Sequence, residues 1–308
     1  VLKSGLMLFR IEDLWNDTRA NANIISILQG YSDPRLERWF ATNNADIYST
    51  DDELSPVVEK ATKYLGVRQG VPMTRTEYQG YSKTSRVGIP EQGPRPVLRV
   101  AEAYFLRAEG MLRNWNMGDG TPESLYNEGI HSAWASVLGD ESGWAGTYES
   151  YINGFINTEE GGDFDWELFE GGFGSAPYIN YRNQEYNYYI EENGKQVGIN
   201  RISVRWHDED SPEKKLQRII TQKWISFFPT LSSVAWTEYR RTGYPKLIPI
   251  PSDLNYSNGA IDTELQIRRL PFTQSEYRGN TEEVNKALGL LKGPDNGGTR
   301  LWWDAGKN

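Results

Sequence analysis

Residues 95–115 read RPVLRVAEAYFLRAEGMLRNW, and their pattern is the clearest indication of the fold in this sequence. Apolar side chains recur in it at spacings of three and four, the pattern of an amphipathic α-helix with one buried face. They are Val97, Ala101, Tyr104, Ala108, Met111 and Trp115. The sequence therefore predicts a helix over Arg95–Trp115. Its small residues Ala101 and Ala108 would let a partner helix approach closely.

The following segment supplies that partner. The string NMGDG at residues 116–120 interrupts the first helix. Thr121 is a suitable N-cap, and Pro122 takes the first helical position, where its missing N–H group costs nothing. A second apolar face then comprises Tyr126, Ile130, Ala133 and Val137. Two such helices joined by a short glycine-rich turn are predicted to pack antiparallel, with Thr121–Leu138 as the second member. This hairpin is the unit of tetratricopeptide-like solenoids, although no second copy recurs at a fixed period.

Apolar periodicity and capping residues predict further helices over Asp17–Leu28, Glu213–Phe228, Ser233–Arg241 and the residues after Asn280. Within them we expect Trp224 on a buried face and a capping box formed by Asn280 and Glu283. Three long tracts lack a helical period, namely Leu65–Pro94, Gly139–Asp210 and Ile248–Arg268. Arg201–His207 alternates enough to be a short strand. The chain is thus predicted to be one compact helical body decorated by loops.

The composition excludes several classes of protein. A net charge of −9 argues against a nucleic-acid partner, whose phosphates require clustered Lys and Arg. Without cysteine, the chain can hold no disulfide, thiolate nucleophile or zinc–thiolate site. No run of about 18 apolar residues is present to cross a bilayer. Because the chain begins at Val1 and shows no charged-then-apolar leader, we expect a processed or truncated piece.

Candidates for catalysis are few. His131 and His207 are the only histidines, and neither lies near an evident nucleophile. The acidic run 208–210 could pair with His207 or bind calcium, but it is typical of charges before a helix N-terminus. The string EEGGDFDWE at 159–167 could hold a glycosidase carboxylate pair or form a flexible acidic loop. A glycine turn explains DNGG at 295–298 without a metal. We therefore predict no catalytic residue, no metal site and no cofactor.

Aromatic residues make up 13% of the chain, and many fall in the polar tract Gly139–Asp210. Sugar rings present C–H faces that stack on Trp and Tyr, while their hydroxyls bind Asn, Asp and Arg side chains. The tract contains both kinds of side chain. Alternatively, its rings pin a long loop onto the helices. The predicted ligand-binding residues are Trp144, Trp166, Tyr178, Tyr181, Arg182 and Asn183.

Several strings resemble, in order, the C-terminal part of the SusD/RagB family. They are GYSDPRL at 30–36, AEAYFLRAE at 101–109, LYNEGI at 125–130, IITQKW at 219–224, AW at 235–236, EYRRTGYPKL at 238–247 and LWWD at 301–304. The resemblance implies a mainly α, tetratricopeptide-like protein with a long-loop cap subdomain and little β. It gives a single region over residues 1–308, composed of a helical hairpin (95–138), an aromatic loop insert (139–210) and C-terminal helices and loops (211–308).

The resemblance also implies a function. Members of the family are non-catalytic glycan-binding lipoproteins on the outer face of the outer membrane, and they pass their ligand to a SusC-like TonB-dependent transporter. Membrane contact would be only through a lipid anchor absent from this chain, as is the family's N-terminal half. Glycan contacts vary between members, so the six predicted ligand residues rest on physical inference alone.

The residues of the motifs themselves are expected to be structural. Arg240 and Arg241 would fix carboxylates or helix ends, and Trp302 and Trp303 would bury against the helices. Two other functions stay open. A glycoside hydrolase would need a loop carboxylate pair and measurable turnover, and a helical interaction scaffold would bind proteins through a concave face.

Overall fold

The computed structural model describes residues 18–42, 64, 66, 67, 69, 70, 72, 74–85, 96–153, 202–250 and 252–304, and the backbone of 190–192 and 195–197. In these ranges the helices are α1 (Ala22–Gly30), α2 (Arg35–Trp39), α3 (Arg75–Gln79), α4 (Val100–Leu112), α5 (Pro122–Leu138), α6 (Ala145–Ile152), α7 (Pro212–Phe227), α8 (Ser232–Thr242), α9 (Gln274–Gly279) and α10 (Thr281–Leu290). Strands β1 (Ile190–Glu192) and β2 (Lys195–Val197) pair antiparallel, with Ile190 opposite Val197. The predicted mainly α fold is confirmed.

Helices α4 and α5 form the predicted hairpin. Thr121 caps α5 as expected, because its Oγ1 accepts a hydrogen bond from the Ser124 amide while Ser124 Oγ accepts one from the Thr121 amide. Helix α4 is shorter than predicted. Val97 and Trp115, the outer members of the predicted apolar stripe, lie outside the helix and are 91% and 61% exposed.

Helices α4 and α5 are in close contact where Phe105 packs on Gly129. Phe105 is fully buried, and a Cβ atom on Gly129 would lie only 2.6 Å from Cε1 of its ring. Ala101 and Ala108 are also buried, as expected. However, it is a glycine on the partner helix that makes room for the Phe105 ring.

Helix α7 lies at the centre of the molecule and contacts α4, α5 and α8. From Arg218 onward nearly every side chain is buried, including polar ones. Lys223 is paired with Glu238 at 3.3 Å, and Gln222 donates to the Tyr151 hydroxyl at 2.9 Å. Trp224 is only half-buried, contrary to prediction. The buried surface of α7 extends almost around the helix, so a single apolar stripe described it poorly.

The string GYSDPRL forms a buried polar junction between α2, α6 and α7. Arg35 donates to both carboxylate oxygens of Asp33, at 2.9 and 2.6 Å, and the Tyr151 hydroxyl donates to the same carboxylate at 2.8 Å. Burial alone would lower the pKa of the Arg35 guanidinium, but the adjacent Asp33 carboxylate outweighs burial and raises it. This network fixes the start of the second helix against the central one.

The segment Ile202–His207 forms no strand, so that prediction is wrong for the described part of Arg201–His207. Its carbonyl groups accept hydrogen bonds from side chains of the surrounding helices instead of a neighbouring strand. The Tyr31 hydroxyl donates to Ile202 O and the Tyr126 hydroxyl to Val204 O, both at 2.7 Å. Burial does not follow the alternating sequence pattern, because Arg205 is exposed and the other five residues of the segment are buried.

Arg241 joins the helices of two motif strings. It donates to both oxygens of Glu109 on α4, at 2.6 and 2.7 Å, and to Glu238 on its own helix at 2.6 Å. Burial on its own would raise the pKa of Glu109, but hydrogen bonds and charge from Arg241 and Arg113 hold it below its ordinary value. The predicted carboxylate-binding role of this arginine is therefore confirmed.

Arg240 contacts two indole rings, that of Trp236 on its own helix and that of Trp303. Its guanidinium carbon is 4.3 Å from the centroid of Trp236 and 4.9 Å from that of Trp303. Trp302 and Trp303 are 87% and 43% exposed, so the predicted burial of both rings is wrong. The turn is held by an Asp304–Arg268 ion pair, and it presents both adjacent rings at the surface, with Trp303 in contact with Arg240.

Two turn predictions also differ from the structure. Asn280 precedes α10 but makes no side-chain capping bond, and Glu283 instead accepts from Lys286 at 2.7 Å. At residues 295–298, neither glycine has the positive φ expected of a glycine turn, and the Asn296 side chain instead accepts from the Gly298 amide at 3.0 Å. Gly298 is needed for close approach, because a Cβ atom there would lie 2.0 Å from Ala260 O.

Candidate ligand-binding site

The tract predicted as an irregular insert begins with ordered helix. A 3-10 turn at Glu141–Gly143 is capped by Asp140, whose carboxylate accepts from the Ser142 amide at 3.1 Å. Helix α6 follows directly. The first part of the insert thus belongs to the helical body, because its aromatic residues meet those of the hairpin.

Trp144 is part of this aromatic contact. It is 6% exposed, its ring centroid lies 5.1 Å from that of His131 and 5.9 Å from that of Trp134, and its Nε1 donates to Gly139 O at 3.2 Å. Tyr148 packs on the same cluster, and burial raises the pKa of its hydroxyl. The ring of Trp144 offers no free face for a sugar, so the packing interpretation holds for this residue.

The other five predicted ligand residues lie outside the described part of the chain. They are Trp166, Tyr178, Tyr181, Arg182 and Asn183, and their role stays a prediction. The acidic string at 159–167 lies outside it as well. The structure therefore describes the base of the insert and the small β1–β2 ladder within it.

Within the insert, the segment from Tyr151 to Ile202 has both of its ends in contact with one residue of the scaffold, Tyr31. On the incoming side, the rings of Tyr151 and Tyr31 are perpendicular with centroids 6.3 Å apart. On the outgoing side, the Tyr31 hydroxyl donates to Ile202 O at 2.7 Å. The segment from Tyr151 to Ile202 thus leaves and rejoins the helical body at Tyr31, next to its ring on one side and its hydroxyl on the other.

The two histidines contact carboxylates. His131 Nε2 lies 3.2 Å from Glu141 Oε1, and His207 Nδ1 lies 3.3 Å from Glu209 Oε1. Asp210 is bound by Arg218 at 2.7 Å, so the acidic run after His207 is tied to the scaffold instead of being fully solvated. Among the described residues, no group of three or more His, Asp or Glu side chains could hold a metal ion.

The described residues also form an apolar groove of about 210 Å³ between α7 and α8. Its walls are mainly aromatic, formed by Trp224, Phe227, Phe228, Pro229, Trp236 and Tyr239. Its polar side chains are Ser232 and Gln266. This groove was not predicted from the sequence, although its aromatic residues lie close together in the chain, at 224–228 and at 236. Such walls suit a bulky apolar group better than the many hydroxyls of a sugar.

Comparison with known proteins identifies the family. The sequence profile of the SusD-like family, described as Susd and RagB outer membrane lipoprotein, matches residues 6–151 and 173–304. The chain belongs to this family. A comparison with curated protein sequences found no match.

Solved structures of similar proteins agree with this assignment. A chitin-binding SusD homologue from Flavobacterium johnsoniae is 35% identical, with a TM-score of 0.72, over 100% of this chain and 54% of its own. A SusD homologue from Bacteroides vulgatus is 34% identical (TM-score 0.68), over 96% of this chain and 51% of its own. One from Bacteroides ovatus is 31% identical (TM-score 0.71), over 99% and 56%. The chain therefore spans about half the length of the solved relatives that it matches.

Proposed function

We propose that the protein binds a glycan at the cell surface without cleaving it. The observation that carries this proposal is the 35% identity, over the whole chain, to a SusD homologue described as chitin-binding. N-acetylglucosamine oligomers, the soluble pieces of chitin, are accordingly the first ligands to test.

The binding site is proposed on the aromatic loop insert, over Trp166, Tyr178, Tyr181, Arg182 and Asn183. The support is compositional, since rings able to stack on sugars alternate there with side chains able to bind hydroxyls. The scaffold adds a second argument. Because Tyr151 and Ile202, which flank these residues in the insert, both contact the buried Tyr31, ligand contacts between them would be held at a defined place on the helical body.

We further propose that the whole protein is an outward-facing, lipid-anchored protein that passes its ligand to a SusC-like TonB-dependent transporter. The support is the family's description as outer membrane lipoproteins. In the part of the chain that the structure describes, no helix is both long enough and apolar enough to span a bilayer.

The test is calorimetric titration of chitohexaose, after a glycan-array screen, into the parent and into the Trp166→Ala, Tyr178→Ala and Tyr181→Ala variants. Each productive stack is worth on the order of 1 kcal/mol, so the affected variant should bind about fivefold more weakly. Trp115→Ala is the matched control, because Trp115 is 61% exposed and lies outside the insert. Equal affinity of all three folded variants would move the site elsewhere.

A reducing-end assay in the same samples separates binding from hydrolysis. Binding without new reducing ends is the expected result. Steady release of reducing ends that is lost on mutating an acidic pair would replace this proposal with the glycoside hydrolase alternative. The absence of any glycan bound from the array would count against the proposed function itself.

A further inference from the structure

The apolar groove between α7 and α8 has the composition of a small-molecule site. Besides residues of those two helices and the turn between them, Ile24 on α1, Leu247 and Gln266 line it, and no residue of the aromatic insert does. Sites for small molecules have mainly apolar and aromatic walls with a few polar groups that orient the ligand. In the groove, Ser232 and Gln266 supply such polar groups.

The size and the walls of the groove define the shape of its ligand. An apolar cavity of about 150 Å³ is large enough for one benzene ring. The groove measures about 210 Å³ and therefore has room for a single ring with two small substituents. Its walls include the rings of Trp224, Phe228 and Trp236. Aromatic walls favour a flat ring over a saturated one, because offset-stacked and edge-to-face contacts add to the gain from buried area.

The polar groups of the groove define the substituent. In the part of the chain that the structure describes, neither the Ser232 hydroxyl nor the Gln266 amide makes a hydrogen bond, whereas the Tyr239 hydroxyl donates to Glu264 O at 2.6 Å. Hydroxyl and amide side chains both donate and accept, and so does a hydroxyl group on a ligand. No charged side chain among the described residues lines the groove, so an ionised ligand would lose its hydration without gaining a partner.

The backbone holds Gln266 in an uncommon conformation. Its φ is 55°, in the left-handed region that residues other than glycine rarely adopt. The preceding turn fixes it, because the Gln266 amide nitrogen donates to Asp262 O at 3.0 Å and the Asp262 carboxylate accepts from the Glu264 and Leu265 amides at 2.8 Å. Residues held in sparsely populated conformations cluster at ligand-binding sites. The side chain at the groove is thus carried by a constrained turn.

We propose that the groove binds a small neutral phenol. The ring packs among the aromatic walls, and the hydroxyl forms a hydrogen bond with the Gln266 side chain. This ligand matches the volume, the flat walls, the single polar substituent and the lack of charge. The inference does not rest on glycan binding, because the groove and the insert share no residue.

Isothermal titration calorimetry with 4-methylphenol and three relatives of similar size tests the inference. 4-Methylphenol should bind the purified chain with a Kd below about 1 mM, in keeping with the few contacts that so small a ligand can make. p-Xylene, which lacks the hydroxyl, and 4-methylcyclohexanol, which lacks the flat ring, should each bind at least about threefold more weakly. 4-Methylbenzoate, which is charged at neutral pH, should not bind measurably.

Two variants locate the site. Ala235→Phe fills the groove from its wall and should abolish binding. Leu290→Phe is the matched control, because Leu290 is 86% exposed on α10, and it should bind within about twofold of the parent. Gln266→Gly removes the side-chain amide at a position whose positive φ glycine adopts without strain. It should weaken binding of 4-methylphenol about threefold and leave that of p-xylene unchanged.

Thermal melting checks that each variant is folded, and Gln266→Gly keeps the test decisive if Ala235→Phe is not. The inference is overturned if 4-methylphenol does not bind, if p-xylene binds as tightly, or if either groove variant binds 4-methylphenol like the parent. A concentration-dependent dimer that Ala235→Phe dissociates would also overturn it, because a second copy would then occupy the groove. None of these results depends on whether the insert binds a glycan.

Discussion

Replacing Gly129 by alanine should destabilise the protein, although alanine is the better helix former. In an unconstrained helix the change would stabilise by about 1 kcal/mol. Here the new Cβ atom would lie 2.6 to 2.8 Å from three atoms of the Phe105 ring, well inside van der Waals contact. Phe105 has no exposed surface, so its ring can move only by displacing other core side chains.

The size of the effect follows from these two opposing terms. Over-packing of a filled core costs about 1–3 kcal/mol, and an overlap with a rigid aromatic ring belongs at the upper end of that range. Subtracting the helix-propensity gain leaves a net loss of about 2 kcal/mol. Urea denaturation followed by circular dichroism measures this as a lower midpoint at an unchanged m-value.

Two further variants separate the steric cause from other effects. Gly289→Ala in α10 meets nothing within 4 Å and should be neutral or stabilise by up to about 1 kcal/mol. Phe105→Leu combined with Gly129→Ala should lose less stability than the sum of the two single changes, because the smaller side chain removes the overlap. A Gly129→Ala variant as stable as the parent would refute the argument that this glycine sets the distance between α4 and α5.

Three other predictions follow from the packing and the ion pairs. Trp134→Ala should lower the free energy of unfolding by about 3–5 kcal/mol, because its ring is fully buried. Trp224→Ala should lower it clearly less, because that ring is half-buried in the groove wall, and a comparison of urea midpoints tests this order. Tyr126→Phe should lower the free energy of unfolding by about 1–3 kcal/mol, because the buried carbonyl of Val204 loses its hydrogen-bond donor. An unchanged urea midpoint at neutral pH would show that this carbonyl finds another partner. The lowered pKa of Glu109 means that its pairing stabilises the fold fully above pH 4.5 and is lost as pH falls through its folded-state value. Melting temperature against pH should therefore be flatter for Glu109→Gln below pH 4.5, whereas parallel curves would show that Arg241 does not stabilise the charged form.

Local patterns predicted the helices well, because helix signals are short-range. The cap at Thr121, the proline start of α7 and the glycine end of α8 each depend on residues within one turn, and each is present in the structure. The family strings predicted the fold because several of their residues hold helices together. Their charged residues link separate helices, since Arg35 on α2 donates to Gln222 on α7 and Arg241 on α8 binds Glu109 on α4.

Long-range partners could not be predicted from the sequence. Ile202–Val204 alternates like a strand, but whether a strand or tyrosine hydroxyls satisfy its carbonyls depends on residues far away in the chain. The burial of Trp144 and the exposure of Trp302 likewise depend on which neighbours fold against each ring. The candidate ligand site was predicted only as a composition, since loop contacts carry no periodic signal.

Tyr31 contacts both Tyr151 and Ile202, and this arrangement bears on how such proteins diversify. The family profile has a gap at residues 152–172, which begins directly after the Tyr151 ring that packs on this anchor. Where the ends of a segment are already held together, its length costs little in loop-closure entropy, because that cost grows only with the logarithm of length. We therefore expect that the segment from Tyr151 to Ile202 can be exchanged between homologues with little change in the stability of the helical body. Specificity for a new ligand could then evolve, or be engineered, without the helical body having to be folded anew.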